Sequence, residues 1–226
     1  MFTAIRLSRK KRLFLTKKIY LRQSSGFYFT EIMFSYPKNK RQKQKMYNLL
    51  AELKAPLVYE KQFTLSFKKI NEYPYENFLN RIIIYAFMHF CKSTHPECCV
   101  INPCEKINEN FYFTLSKYTS RIVILNSKPD FTLCRKILEF SGTPVLFDDG
   151  ISKADVLLNL SPFSVNGLFG FTFDKNIYDV TNKIFPLEDK ALNIFEPLEF
   201  SAAVYDNFNR FDLVDLWAKA VANEFI

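Results

Sequence analysis

The chain has 226 residues, 48% of them hydrophobic and 17% aromatic, with 25 phenylalanines and only five glycines; this composition excludes a disordered chain and is rich enough for a sizeable core. The net charge of +8 is unevenly divided: residues 1–70 carry 17 lysines and arginines against Glu31, Glu52 and Glu60, a balance of +14, while the remainder is at −6. The longest apolar run, Ile82 to Cys91, has ten residues, where a membrane crossing takes about 20, and no apolar stretch follows the basic start as a signal peptide requires.

In chain order, "FTAIRLS", "RLFLTKKIYLRQ" and "GFYFTEIMFSY" are rich in β formers and predict two or three strands, expected antiparallel, with a turn at Ser24-Ser25-Gly26. Between Pro37 and Pro56, Met46, Leu49, Leu50 and Leu53 recur at helical spacing, which predicts one helix followed by a short strand in "LVYE". "YENFLNRIIIYAFMHFCKS" predicts a buried helix. Four apolar runs then follow, at 98–102, 121–126, 143–149 and 154–160. Within the second linking stretch Phe131, Leu133, Cys134, Ile137, Leu138 and Phe140 are expected on one helix face, with Gly142 as the C-cap. One or two closing helices are expected near the end, with Phe208, Phe211, Val214, Leu216 and Trp217 among their apolar positions.

Apolar runs alternating with helix-length segments indicate βαβ units and a parallel sheet covered on both faces. The predicted fold is α/β: a Rossmann-like or flavodoxin-like domain over residues 75–226, after a basic β-rich region with one helix over 1–74, or the two as one continuous domain.

The window from His89 to Cys104 holds both histidines and four cysteines: His89, Cys91, His95, Cys98, Cys99 and Cys104. Adjacent Cys98 and Cys99 would point to opposite faces of a strand, and free cysteine packs as a small hydrophobe. The expectation is a buried strand over 98–102 with no metal, fed by a turn at His95-Pro96, and with His89 a core residue of its helix. The five cysteines are expected to be reduced and the protein cytoplasmic, without membrane insertion. No glycine lies between Gly26 and Gly142, so the first strand lacks the fingerprint that lets a backbone approach pyrophosphate, and no G-x-x-x-x-G-K-[ST] loop is present. No cofactor is expected, NAD and FAD included.

"ADVLLNLSPFS" carries Asn159, Ser161 and Pro162 in a strand-then-turn arrangement that is similar to one in the cofactor domain of the shikimate dehydrogenase family. The resemblance implies shared architecture; that family's glycine fingerprint and substrate-domain lysine motif have no counterpart in this chain. Short polar residues also end the other candidate strands, so Asn102, Asn126, Ser127, Asp148, Asp149, Asn159 and Ser161 form a candidate ligand rim, or else turns and helix caps. No catalytic residue is assigned.

In the basic third, Arg9, Lys10, Lys11, Arg12, Lys17, Lys18 and Arg22 lie among Phe14, Tyr20, Phe27, Tyr28 and Phe29. Cations with aromatics suit nucleic acid; they also suit a protected sheet edge. The leading expectation is a non-catalytic protein that works by binding or as a scaffold, through a protein partner or self-association. The alternatives are nucleic-acid binding through the basic residues and an enzyme with a degenerate Rossmann-like site.

Overall fold

The computed structural model describes residues 1–24, 26–101, 108–125, 128–148, 154–161, 176–179 and 190–222. The chain divides into two compact units: residues 1–75 with 184–213, and residues 76–183 with 214–226. Residues 184–213 thus return to the first unit, which a single boundary at 74/75 does not anticipate.

In the first unit β1 (Thr3–Lys11), β2 (Lys17–Ser24), β3 (Phe27–Tyr36) and β4 (Leu57–Tyr59) form one sheet in the order β2-β3-β1-β4. The expected antiparallel arrangement holds only for β2 and β3; β1 runs parallel to both of its neighbours. Gly26, at φ +85°, closes the β2–β3 hairpin in a conformation that costs glycine little. The predicted helix is α1 (Lys40–Ala51), whose first turn is capped by Asn39 accepting from the Gln42 N–H at 2.9 Å; a second, short helix, α2 (Lys61–Ser66), follows β4.

Both faces of this sheet are covered. Ile5, Leu7, Ile32, Phe34, Leu57 and Tyr59 pack with Met46 and Leu50 of α1 and Phe63 of α2. Cross-strand partners share a face and alternate residues switch it, so Phe2, Phe27 and Phe29 point the other way. There they meet Phe195 and Phe200, the latter on α6 (Pro197–Phe208).

The second unit is built on β5 (Glu97–Ile101), β6 (Arg121–Leu125), β7 (Val145–Asp148), β8 (Val156–Asn159) and β9 (Asn176–Tyr178), all parallel, in the order β7-β6-β5-β8-β9. Cys99, Ile101, Val123, Leu125 and Leu157 are buried on one face, and Cys98, Val100, Ile122, Ile124, Val156 and Leu158 on the other. That two-sided burial is why the runs read as continuous rather than alternating. The helices are α3 (Glu76–Phe90), α4 (Glu109–Ser116), α5 (Phe131–Ser141) and α7 (Asp212–Ala222), whose first two residues belong to the first unit. The link from β7 to β8 spans only residues 149–155, too short for the usual crossover helix of a dozen residues or more.

Two helix faces differ from the sequence expectation. On α5 only Leu133 and Ile137, one turn apart, are buried, while Phe131 is 78% exposed and Leu138 and Phe140 are also exposed. On α7 the buried residues are Leu213, Trp217, Ala218, Val221 and Ala222, and Leu216 is exposed, as is Phe211 just before it. A stripe three or four residues apart buries a narrow face, and apolar residues beside it stay in water.

Gly142 caps α5 at φ +73°, its N–H donating to the Leu138 carbonyl at 2.9 Å. A Cβ there would meet no atom within 4 Å, so Gly142→Ala should cost only the left-handed backbone penalty, about 1 kcal/mol, with Gly142→Asn costing less. Urea midpoints of the two variants check this.

Candidate functional site

In the five-stranded sheet the chain steps from β5 outward to β6 and β7, then resumes on the opposite side of β5 with β8. Open α/β sheets bind ligands beyond the carboxyl ends of their strands where the order reverses in this way, which here lies between the ends of β5 and β8. Asn159 ends β8 opposite Ile101 of β5. Its Oδ1 accepts the Ser161 N–H at 2.9 Å, and both side chains are buried. This local turn fixes how the chain leaves β8 at the crevice.

Asp148 ends β7 opposite Leu125. Three strand spacings separate it from β8, about 14 Å, so it does not join Asn159 and Ser161. Asn102, Asn126, Ser127 and Asp149, and Pro162 of the quoted turn, lie outside the described residues.

The basic residues gather differently. β1 ends where β2 begins, beside the carboxyl end of β3: Lys11 lies opposite Tyr36 and Lys17 opposite Phe34. The register of β1 slips between Ser8 and Lys11, a bulge that turns the exposed Arg9 and Lys10 outward. Arg12, Lys17 and Lys18 are exposed at the same end; Lys11 contributes its backbone there, and its side chain lies outside the described set. Arg22, at the other end of β2, is committed to Glu31, with Nε and Nη2 donating at 3.1 and 3.2 Å.

Arg22 opens a row of charges across one sheet face. Arg6 lies 3.8 Å from buried Glu31 and 3.7 Å from buried Glu60. Glu60 also accepts the Leu7 N–H at 2.7 Å, satisfying β1 where β4 has ended. Burial pushes the Glu60 carboxyl up, against that hydrogen bond and Arg6.

A second charged cluster has no counterpart among the sequence expectations. Lys69 donates to both Glu72 and Glu199. Glu199 sits on α6 among Phe200, Ser201, Ala202 and Ala203, all buried. Burial, then a hydrogen bond shared with Glu72, push the Glu199 carboxyl up to about 9 against the pull of Lys69. Burial also acts on Glu72, but its bonds with Glu199 and Lys69 outweigh it and hold that carboxyl below its usual range. Burial acts to lower Lys69, and the two carboxylates outweigh it and hold the ammonium up. The cluster is therefore neutral near pH 7: one ammonium, one carboxylate and one carboxylic acid. Glu199 Oε2 is buried without a hydrogen-bond partner.

Around this cluster Tyr59 donates to the Ile70 carbonyl, Tyr73 donates to Asp206 at 3.1 Å, and Thr64 donates to Glu196 at 2.7 Å. Burial pushes both tyrosines up to about 12. The last two of these bonds tie residues 57–75 to α6 and to Glu196 just before it. The arrangement can hold a proton and anchor a helix; strongly shifted groups also occur in purely structural networks.

Cys98 and Cys99 are buried in β5, as the sequence reading expects, and burial pushes the Cys98 thiol up, away from the thiolate that a metal or a nucleophile needs. His89 departs from its expected place in the core. It is exposed in the last turn of α3, its ring 4.1 Å from that of Tyr85. His95 stands at φ +53° in the turn before β5. Among the described residues no helix is long and apolar enough to cross a membrane.

No protein-family model matches the sequence, and no curated protein matches it. Among solved structures the chain is similar to the L-tryptophan dehydrogenase of Nostoc punctiforme, with 7% identity, a TM-score of 0.41, and coverage of 88% of this chain and 67% of that one.

Proposed function

We propose that the chain is a non-catalytic binding protein whose ligand is a small polar molecule held beyond the carboxyl ends of β5 and β8. The observation that carries this reading is the reversal of strand order at β5, with Asn159 and Ser161 buried at that point. Asn159 acts as a positioning residue, through its bond to the Ser161 N–H. No glycine follows β5 in the sequence before Gly142, and a diphosphate cofactor is usually held by glycines at that turn, so the ligand proposed is one recognised by amide and hydroxyl hydrogen bonds rather than NAD or FAD.

Thermal unfolding in the presence of carboxylate, amide, sugar and nucleoside classes tests this. A true ligand at 100 times its Kd should add about 2.7 kcal/mol, a rise of roughly 5–10 °C in Tm for a chain of this size. Asn159→Ala, if still folded by circular dichroism, should lose most of that rise. The reading fails if no class raises Tm, if the rise persists in Asn159→Ala, or if NAD produces it.

A further inference from the structure

Among the described residues β2 is an edge strand, paired on one side, with β3. Of its eight residues, Lys17, Lys18, Ile19, Leu21, Arg22 and Gln23 are exposed. Ile19 is 59% and Leu21 68% exposed, and Tyr28, on the same face as the partner of Gln23, is 45% exposed. Lys18 and Arg22 project from the other face. A long edge that shows apolar side chains and open backbone groups is a template for another strand, and natural edges usually blunt it.

The geometry points to strand addition: an extended acidic segment of a partner protein pairs with β2 along its free edge. Its alternate side chains are apolar, covering Ile19 and Leu21; those between are acidic, facing Lys18. Arg9, Lys10, Arg12 and Lys17 at one end of the strand draw the acidic segment in. This surface is formed within the first unit, and strand addition there does not rest on the ligand proposed for the β5–β8 crevice.

Charge argues against a second copy as the occupant. β2 carries exposed Lys17 and Lys18 and no acidic residue, and Arg9, Lys10 and Arg12 lie at the same end, so a second copy would bring cations to cations, and opposed like charges are destabilising. Exposed Phe14 and Tyr28 offer aromatic faces beside the aliphatic Leu13, Ile19 and Leu21, but a polynucleotide cannot complete a β ladder, as a peptide backbone can.

The test uses the full chain and a labelled, capped octapeptide of alternating glutamate and valine, followed by fluorescence anisotropy. Binding should weaken as salt rises. N-methylation of one alternate set of peptide amides should reduce affinity roughly tenfold or more, since those N–H groups enter the ladder, and methylation of the other set should matter little. Ile19→Ser with Leu21→Ser, both at exposed positions, should weaken binding with the protein still folded. The proposal is overturned if the peptide does not bind, if a composition-matched peptide of four valines followed by four glutamates binds as well, or if the two methylated sets behave alike. A mixed-sequence single-stranded RNA that binds more tightly, and ignores the Ile19/Leu21 substitutions, would also overturn it.

Discussion

Phe200→Ala should destabilise the first unit by about 3–5 kcal/mol, the usual cost of removing a buried phenylalanine. Phe200 lies within 5.2–6.0 Å of four rings: Phe2, Phe27, Phe29 and Phe195. It stands edge-on to Phe2 and Phe29, each at 88°, an arrangement that aromatic quadrupoles favour. Removing it opens a cavity between α6 and the sheet that the stacked pair Phe2–Phe29 cannot fill without moving. Phe131→Ala is the matched control: Phe131 is equally large but exposed, so its loss should stay within about 0.5 kcal/mol. Denaturant unfolding of both variants decides the matter, and similar effects for the two would refute the assignment of core and surface.

Lys69→Met should cost about 3 kcal/mol, the lower end for breaking a buried ion pair, because it leaves Glu72 and Glu199 facing each other without the cation. Glu199→Gln should instead raise stability at pH 7, since the neutral amide replaces a carboxyl that has to take up a proton on folding. The two differ in pH dependence. Glu199 titrates at about 9 in the folded protein and near ~4.3 when unfolded. A pKa raised by folding stabilises fully below the unfolded value, and that contribution is lost as pH rises through the folded one. Glu72, lowered by folding, contributes in the opposite sense, and its share is lost as pH falls. The Tm of the unsubstituted protein should therefore decline between pH 5 and 9 more steeply than that of E199Q. Parallel Tm profiles would remove the protonated acid from the account.

The second unit was legible in the sequence because a doubly covered parallel strand writes itself as an uninterrupted apolar run, and "CCVI", "RIVIL" and "VLLN" do so. The sheet of the first unit was not. β3 sits between β1 and β2 by long-range pairing, and nothing in the composition of a strand records which neighbour it will choose or in which direction. β9 is only three residues long, too short to leave a periodic mark. The Lys69–Glu199 pair joins residues 130 apart in sequence. The one local trace of it is an acid inside the apolar stretch "EPLEFSAAV", an anomaly that a search for catalytic motifs passes over. In the opposite sense, Asn159 and Ser161 stood out by residue type alone, and their placement where the strand order reverses came from topology.

The return of residues 184–213 to the first unit bears on how the protein is made. Phe27 and Phe29 leave the ribosome long before Phe195 and Phe200, which cover them. At bacterial or eukaryotic elongation rates of roughly 5–20 residues per second, one face of the nascent sheet waits on the order of ten to thirty seconds for its lid. During that interval the aromatic face is a natural substrate for a chaperone.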